Sequence, residues 1–422
     1  MEFSQEELYE TLQRFKNAAL TLIKWLLCAT LSGCLIGLVG AIFHILLTYV
    51  TNIRIANPYL LFMLPLGGLV IIFLYNLVGE GSNKGTNLVI TAIQSNEEVP
   101  AKVAPLIIIS TLITHLFGGS AGREGAALQV GGSLGNLLGK ILKFDDKDTR
   151  IMIMCGMSAC FSALFGTPIA AAIFSMEVIS VGIMYYAALV PCVISALIAQ
   201  KISALLGNSS TTFSIGDICD FNLINGTKFT IMSIIFALVS ILLCLCLHGV
   251  AKLYIKYLKN PYIRVFIAGL LVIAFRYILG TTNYLGAGST IISQSFVTSA
   301  AWYVFLLKII FTAITLGGGF KGGEIVPTLF VGATLGSFLS SLFGLPVGLC
   351  AGCGMVSVFC GVTNCPITSL ILSIEMFGAS SMKYCILCIS LSYLLSGYYS
   401  LYSTQKIMYS KYKTEFVNKK TH

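Results

Sequence analysis

Long apolar runs divided by short polar breaks recur along nearly the whole chain, and they set the elements to expect. Residues 17–50 form one run, too long for an upright crossing of a bilayer, which predicts a tilted helix. After the polar break TNIRIANP comes a span from about Tyr59 to Val78, then the glycine-rich turn GEGSNKGTN, residues 79–87. A span or half-span from Val103 to Phe117 delivers the chain to GGSAGREGAALQVGGSLG, residues 118–135, in which a helix is expected to start at Ala126-Ala127-Leu128. The charged loop KFDDKDTR precedes further spans between Ile151 and Leu205, and the polar stretch 207–227 ends this half. Spans from Phe229 to Tyr257 and Val265 to Leu279, a polar stretch from Gly280 to Ser289 and a span from Ala301 to Leu316 then lead to LGGGFKGGEIVPTLFVGATLG, residues 316–336. Apolar segments continue to Tyr402. Several segments are shorter than the roughly 20 residues a full crossing needs. Irregular backbone at membrane depth survives only when buried in protein or lining a polar cavity, which short helices meeting mid-membrane would satisfy.

The second half repeats the first in residue detail. TPIAAAIFSMEV (167–178) and CPITSLILSIEM (365–376) share proline in the second place and glutamate in the eleventh, and VGGSLG (130–135) echoes VGATLG (331–336). Glu177 follows Glu124 by 53 residues, and Glu375 follows Glu324 by 51. Two such halves with glycine- and proline-interrupted helices are the pattern of inverted-repeat transporters, whose site lies between the repeats. The expected division is a cytoplasmic N-terminal segment (1–16), a first transmembrane repeat (17–206), a linker (207–228), a second repeat (229–405) and a basic cytoplasmic tail (406–422).

Composition supports an integral membrane protein: 56% of the 422 residues are hydrophobic and 10% charged. The net charge of +9 sits largely at the edges of apolar segments, in Lys252, Lys256, Lys259 and Arg264 and from Lys406 to Lys420, as cytoplasmic flanks do, so no nucleic-acid partner is expected. The start, MEFSQEELYETLQRFKNAAL, lacks the basic leader of a cleaved signal peptide. Nearly all fourteen cysteines lie inside apolar runs, and the CxxC pairs Cys350/Cys353 and Cys385/Cys388 have no histidine or acid nearby, so they are expected to be small buried apolar residues. GGGFKG fits a dinucleotide pattern, but no strand precedes it. With no metal cluster, nucleophile–base pair or phosphate loop, neither an enzyme nor a cofactor is expected.

Chemistry concentrates at Arg123-Glu124. A carboxylate at membrane depth is costly and marks a functional site by default, and the flanking glycines leave backbone N–H groups bare where a helix begins, which makes an anion site. A structural Arg123–Glu124 ion pair is the competing reading. Glu177 and Glu375 match between the repeats, which points to a shared structural role at helix ends, and His115 is expected to pack or cap.

GREG followed by VGGSLG, the partner motif GGEIVP, and SLYS near the end resemble the CLC family of anion channels and anion/proton antiporters, over nearly the whole transmembrane chain. That resemblance implies an all-α, polytopic integral membrane fold, an inverted repeat of about eighteen short and broken helices per subunit, and a homodimer with a pore in each subunit. It places the gating glutamate at Glu124 and the central tyrosine at Tyr402. The family's internal proton-relay glutamate would fall at Val178, where it is missing. GGSAGREG, the extra glutamate in GFKGGE and KGxNL resemble the fluoride-exporting subgroup, in which a second glutamate takes over proton work; Glu324 is its match. Val326 stands where that subgroup has threonine, and near the inner turn Thr86 supplies a hydroxyl where the subgroup carries other residues. Lys84 and Lys321 are either sources of positive potential near the pathway turns or surface residues.

The resulting expectation is a secondary active transporter in the cell membrane, both termini cytoplasmic, exporting fluoride against protons. Glu124 and Glu324 carry the protons. Gly122, Arg123, Gly125, Gly323, Ile325, Val326, Tyr402 and Thr86 surround the anion. No metal is involved, and the partners are fluoride or chloride, protons and the lipid bilayer. A chloride/proton antiporter and a passive CLC-type chloride channel are the alternatives.

Overall fold

Among the described residues, two runs of eight α-helices follow one another. The computed structural model describes residues 5–81, 84–95 and 97–422. The first run is α1 (Gln5–Ala56), α2 (Leu64–Leu77), α3 (Thr86–Ser95), α4 (Val103–Leu116), α5 (Glu124–Ile141), α6 (Asp146–Phe165), α7 (Pro168–Glu177) and α8 (Leu189–Leu205). The second is α9 (Leu223–Tyr257), α10 (Pro261–Leu279), α11 (Ser289–Gln294), α12 (Val304–Gly318), α13 (Ile325–Phe343), α14 (Val347–Thr363), α15 (Pro366–Phe377) and α16 (Met382–Leu395). Three short 3-10 segments accompany these sixteen α-helices, close to the count the resemblance implied. Seven helical stretches among the described residues are long and apolar enough to cross a membrane, and several others are too short. The protein is a polytopic, predominantly helical membrane protein.

One boundary here, the end of the linker, differs from the expectation. The helix of the first apolar run extends backwards to Gln5 and spans 52 residues, because EELYETLQRF is itself good helix-forming sequence. At about 1.5 Å per residue it far exceeds a roughly 30 Å hydrocarbon core. Lys24 ties it to Asp148 at the start of α6. Residues 223–228 are helix rather than linker, since Asn222 caps α9 by accepting from Asn225 N–H at 2.8 Å. The basic tail is folded as well. Strand β2 (Lys406–Tyr409) pairs in parallel with β1 (Ser180–Val181) and antiparallel with β3 (Phe416–Lys420).

The VGGSLG and VGATLG motifs do the same packing work in each run. A Cβ on Gly131 would lie 2.2 Å from Gly156 O, and one on Gly332 would lie 2.4 Å from Gly354 O. Glycine spaced by four residues lets α5 lie against α6, and α13 against α14, almost backbone to backbone.

Glu177 and Glu375 are exchanged between the runs. Glu177 ends α7 and accepts from Ile367 N–H (3.0 Å), Thr368 N–H (2.8 Å) and Thr368 Oγ1 (2.6 Å) at the start of α15. Glu375, near the end of α15, accepts from Ile169 N–H (3.0 Å) and Ala170 N–H (2.9 Å) at the start of α7. Each carboxylate fills the positive end of the opposing helix, whose first N–H groups have no partner within the helix.

Removing the Glu177 carboxylate orphans three donors, two of them on buried Thr368. Glu177→Ala is therefore expected to destabilise the protein by about 1–3 kcal/mol. Glu375→Ala, which faces more exposed groups, should cost less. Thermal melting of both purified variants in detergent checks the ranking, and equal or absent shifts would sink it.

Candidate functional site

Helices α5 and α13 begin at one point. Gly122 N–H donates to Gly323 O at 2.7 Å and Gly323 N–H donates back to Gly122 O at 2.8 Å, an isolated antiparallel bridge between the two glycine-rich turns. Side chains do not fit there: a Cβ on Gly323 would lie 2.5 Å from Gly125 N and 2.9 Å from Glu124 N. His115 closes the same turn by donating from Nε2 to Gly122 O at 3.2 Å.

Helix α5 starts at Glu124, two residues before the expected Ala126, because Ala127 N–H already reaches Arg123 O at 2.9 Å. Arg123 is its N-cap and Gly125 its second residue. In α13 the N-cap is Glu324, and Ile325 and Val326 are the first two residues. The first N–H groups of both helices have no intrahelical partner and point towards the junction, the geometry of an anion site.

Three buried polar atoms at this junction lack a hydrogen-bonding partner: Glu124 Oε1, Glu324 Oε2 and the Tyr402 hydroxyl. Glu124 is fully buried, its Oε2 accepting from Arg123 N–H at 3.0 Å while Oε1 lies 3.4 Å from Arg123 Nε. The Arg123–Glu124 pair thus exists, yet it leaves Oε1 without a hydrogen bond, and Arg123 Nη2 turns to Leu164 O at 3.3 Å. Glu324 Oε2 is directed at Gly125, where a Cβ would come within 3.0 Å of it. The two carboxyl groups are close enough to act on one another electrostatically, and both act on Tyr402.

The chain holds Tyr402 by its backbone. Ser400 Oγ accepts from Tyr402 N–H at 3.1 Å, and Thr421 Oγ1 donates to Tyr402 O at 2.8 Å. Asn87 of KGxNL fastens the following residue but one, with its Oδ1 3.0 Å from Thr404 Oγ1. Thr86 is buried beside Gly125, its hydroxyl donating to Gly125 O at 3.3 Å. Its proton is therefore turned into the protein.

Glu124 and Val326 form part of the wall of a cavity of about 1260 Å³. Arg54, Arg123 and Arg276 line it with His44 and His115, and Glu124 is the one acidic side chain among its described lining residues. A cleft lined by one sign of charge concentrates ions of the other. Behind the lining, fully buried Lys308 donates to Gly286 O (2.6 Å) and Tyr284 O (3.3 Å), fixing the loop that forms one side. His44 Nδ1 shares Leu164 O with Arg123, at 3.1 Å.

Sequence reasoning passed over His44, Arg54 and Lys308. An ionisable residue inside an apolar helix would have marked Lys308 and His44, whereas nothing local marks Arg54. Lys84 is an exposed partner of Glu97 at 2.8 Å, away from the junction. Lys321 lies next to Glu324, its ammonium 4.4 Å from the ring centre of Tyr75. The fourteen cysteines are unbridged, although the CxxC pairs meet, with Cys353 and Cys385 sulfurs 3.8 Å apart.

The family description "Voltage gated chloride channel" matches residues 67–397. A relative from Pseudomonas syringae pv. tomato, "Chloride/fluoride channel protein", is 35% identical over 92% of this chain and 88% of its own length. The crystal structure of a CLC-type fluoride/proton antiporter superposes with a TM-score of 0.88 at 32% identity, covering 96% of this chain and all of the other. A slow cyanobacterial Cl-/H+ antiporter shares the fold, with a TM-score of 0.74 at 19% identity, over 88% of this chain and 94% of that one.

The bridge yields a graded expectation. Gly323→Ala drives a methyl group into backbone atoms and should reduce anion flux by about tenfold or more, together with stability. Gly125→Ala meets the end of the Glu324 side chain and the Gly323 Cα, both at 3.0 Å rather than 2.5 Å, and should cost less. Flux from reconstituted vesicles, normalised to folded protein, would contradict this if the two variants ranked the other way.

Proposed function

The chain belongs to the voltage gated chloride channel (CLC) family of anion transporters, and from that premise we propose that it is a secondary active antiporter exporting fluoride in exchange for protons. One observation carries this reading: two carboxylate oxygens and a phenol hydroxyl, all buried without hydrogen-bonding partners, meet where two helix N-termini open.

Ionised Glu124 takes the place of an anion at those N–H groups. A proton arriving from the cavity neutralises it, weakens its hold and lets the side chain leave, so that an anion replaces it at the N–H groups of Gly125, Ile325 and Val326. The Tyr402 hydroxyl donates to the same anion. Because carboxylate and anion compete for one set of donors, anion passage and protonation alternate. Glu324 provides the second proton carrier on the facing turn, and no carboxylate stands at Val178 to do so.

Fluoride is small and strongly hydrated, and several convergent donors are needed to replace its water. The relatives carrying fluoride in their names support that choice. Chloride remains the second reading, favoured by Val326, whose apolar side chain supplies no hydroxyl at the start of α13. The eight-plus-eight order of helices supports a two-repeat division between α8 and α9. The basic flanks support cytoplasmic termini in a cell membrane, and the family resemblance supports a homodimer.

Proteoliposomes loaded with fluoride or chloride, read by ion electrode and pH dye together, test the proposal. Fluoride efflux should exceed chloride efflux and should carry protons inward; equal or reversed preference favours the chloride reading. Glu124→Gln should reduce proton movement by roughly a hundredfold, and persisting uphill proton pumping would falsify its assignment. Glu324→Gln should likewise impair proton movement, and an unchanged rate and stoichiometry would leave it a structural cap.

A further inference from the structure

Protons must reach Glu324, and the cavity beside Glu124 does not lead there: neither Glu324 nor Lys321 lines it. Lys321, Gly322 and Glu324 are nonetheless only half-buried, while Phe320, Gly323 and Ile325 around them are buried. This turn is therefore partly open to a surface other than the cavity.

That surface lies towards the membrane face opposite the cavity. Tyr75, under the Lys321 ammonium, lies in the last turn of α2, and Asn76 beside it donates to Tyr262 OH at 3.0 Å in the first turn of α10. The other ends of these helices lie at the cavity: Phe62, just before α2, stacks on Tyr277, and Arg276 and Tyr277 line the cavity. Lys321 thus lies at the end of α10 that carries Arg264 and follows Lys256 and Lys259. The groups facing it are Tyr75 from α2, Arg264 from α10 and Glu324 from its own turn. Glu124 acts on Glu324 from across the junction, and both act on Tyr402. The Glu80–Lys102 pair, 3.2 Å apart, follows the end of α2.

Among the described residues Lys321 has no carboxylate within ion-pair distance, and its ammonium is held on an aromatic face. We propose that Lys321 delivers protons to Glu324 from the face opposite the cavity, by a route separate from the anion path past Thr86 and Tyr402. One ammonium N–H bond breaks and one carboxyl O–H bond forms. The neutral amine then takes a proton from water at the basic face. Lysine suits this role because a desolvated ammonium exchanges its proton, whereas a guanidinium keeps it. The inference rests on the antiport reading above.

Coupled fluoride efflux and proton uptake would be measured in vesicles of one orientation, with pH set independently on each face. Lys321→Gln and Lys321→Arg should both slow exchange about tenfold and flatten its response to pH at the basic face. The response to pH on the cavity face should stay as in the wild type. Tyr75→Leu, which keeps the ammonium but removes its seat, should show the same defect more weakly. Wild-type exchange in Lys321→Arg would mean that charge alone matters and would overturn the relay, as would an unaltered pH response in Tyr75→Leu. Fluoride efflux without proton uptake in the unmodified protein would bring down the antiport reading itself, a failure visible before any variant is compared.

Discussion

Everything at the centre of this protein depends on the two hydrogen bonds between Gly122 and Gly323. They join the turns ahead of α5 and α13 closely enough that the open ends of both helices face one small volume. An antiparallel bridge between equivalent residues is also what a two-fold relation between the repeats demands. The site is therefore a consequence of how the halves meet, and neither half could make it alone. His115 adds a second donor to the same Gly122 carbonyl, so the bridge is held from the side of the cavity as well.

A helix N-terminus in an apolar medium must be satisfied by something. Four of them in this fold are satisfied in two ways. Those of α7 and α15 are filled permanently by Glu375 and Glu177, each reaching across from the opposite repeat with two backbone hydrogen bonds. Those of α5 and α13 have only carboxylates from their own first turn or cap, Glu124 and Glu324, each with an oxygen lacking a hydrogen-bonding partner. The same residue type is locked in one pair and exchangeable in the other. The difference lies in whether the carboxylate is delivered by a distant, rigid helix or by the short chain of the turn itself.

Much of this was legible in the sequence because it depends on short-range pattern. Glycine-rich turns, the matched PxxxxxxxxE segments and the VGxxLG echoes each carry a local signal, and the structure gives each a packing or capping task. The places that misled were governed by contacts far apart in the chain. No local signal shows that the basic tail pairs with β1, which lies more than 200 residues earlier and offers it an edge. The cavity lining draws Arg54 and Arg276 from unrelated segments. No window of sequence contains that arrangement. Lys84 and Lys321 show the limit most directly: similar settings in sequence, yet one is an exposed partner of Glu97 and the other lies on Tyr75 beside Glu324.

The missing relay carboxylate at Val178 has a physical counterpart. Val178 is buried at the end of α7, and its carbonyl accepts from Gln405 Nε2 at 2.9 Å. Gln405 also donates to Thr363 O at 2.8 Å and accepts from Asn364 Nδ2 and Ser400 Oγ at 3.0 and 2.9 Å. A fully satisfied neutral amide thus binds together α7, α14 and the segment that carries Tyr402. The network uses only the main-chain carbonyl of Val178, whose side chain is buried, and unpaired burial of a charge at that position would be costly. The first repeat has spent this position on rigidity behind Tyr402, and proton traffic on the proposed reading falls to the second repeat, where Glu324 keeps an oxygen without a hydrogen-bonding partner and Lys321 lies beside it.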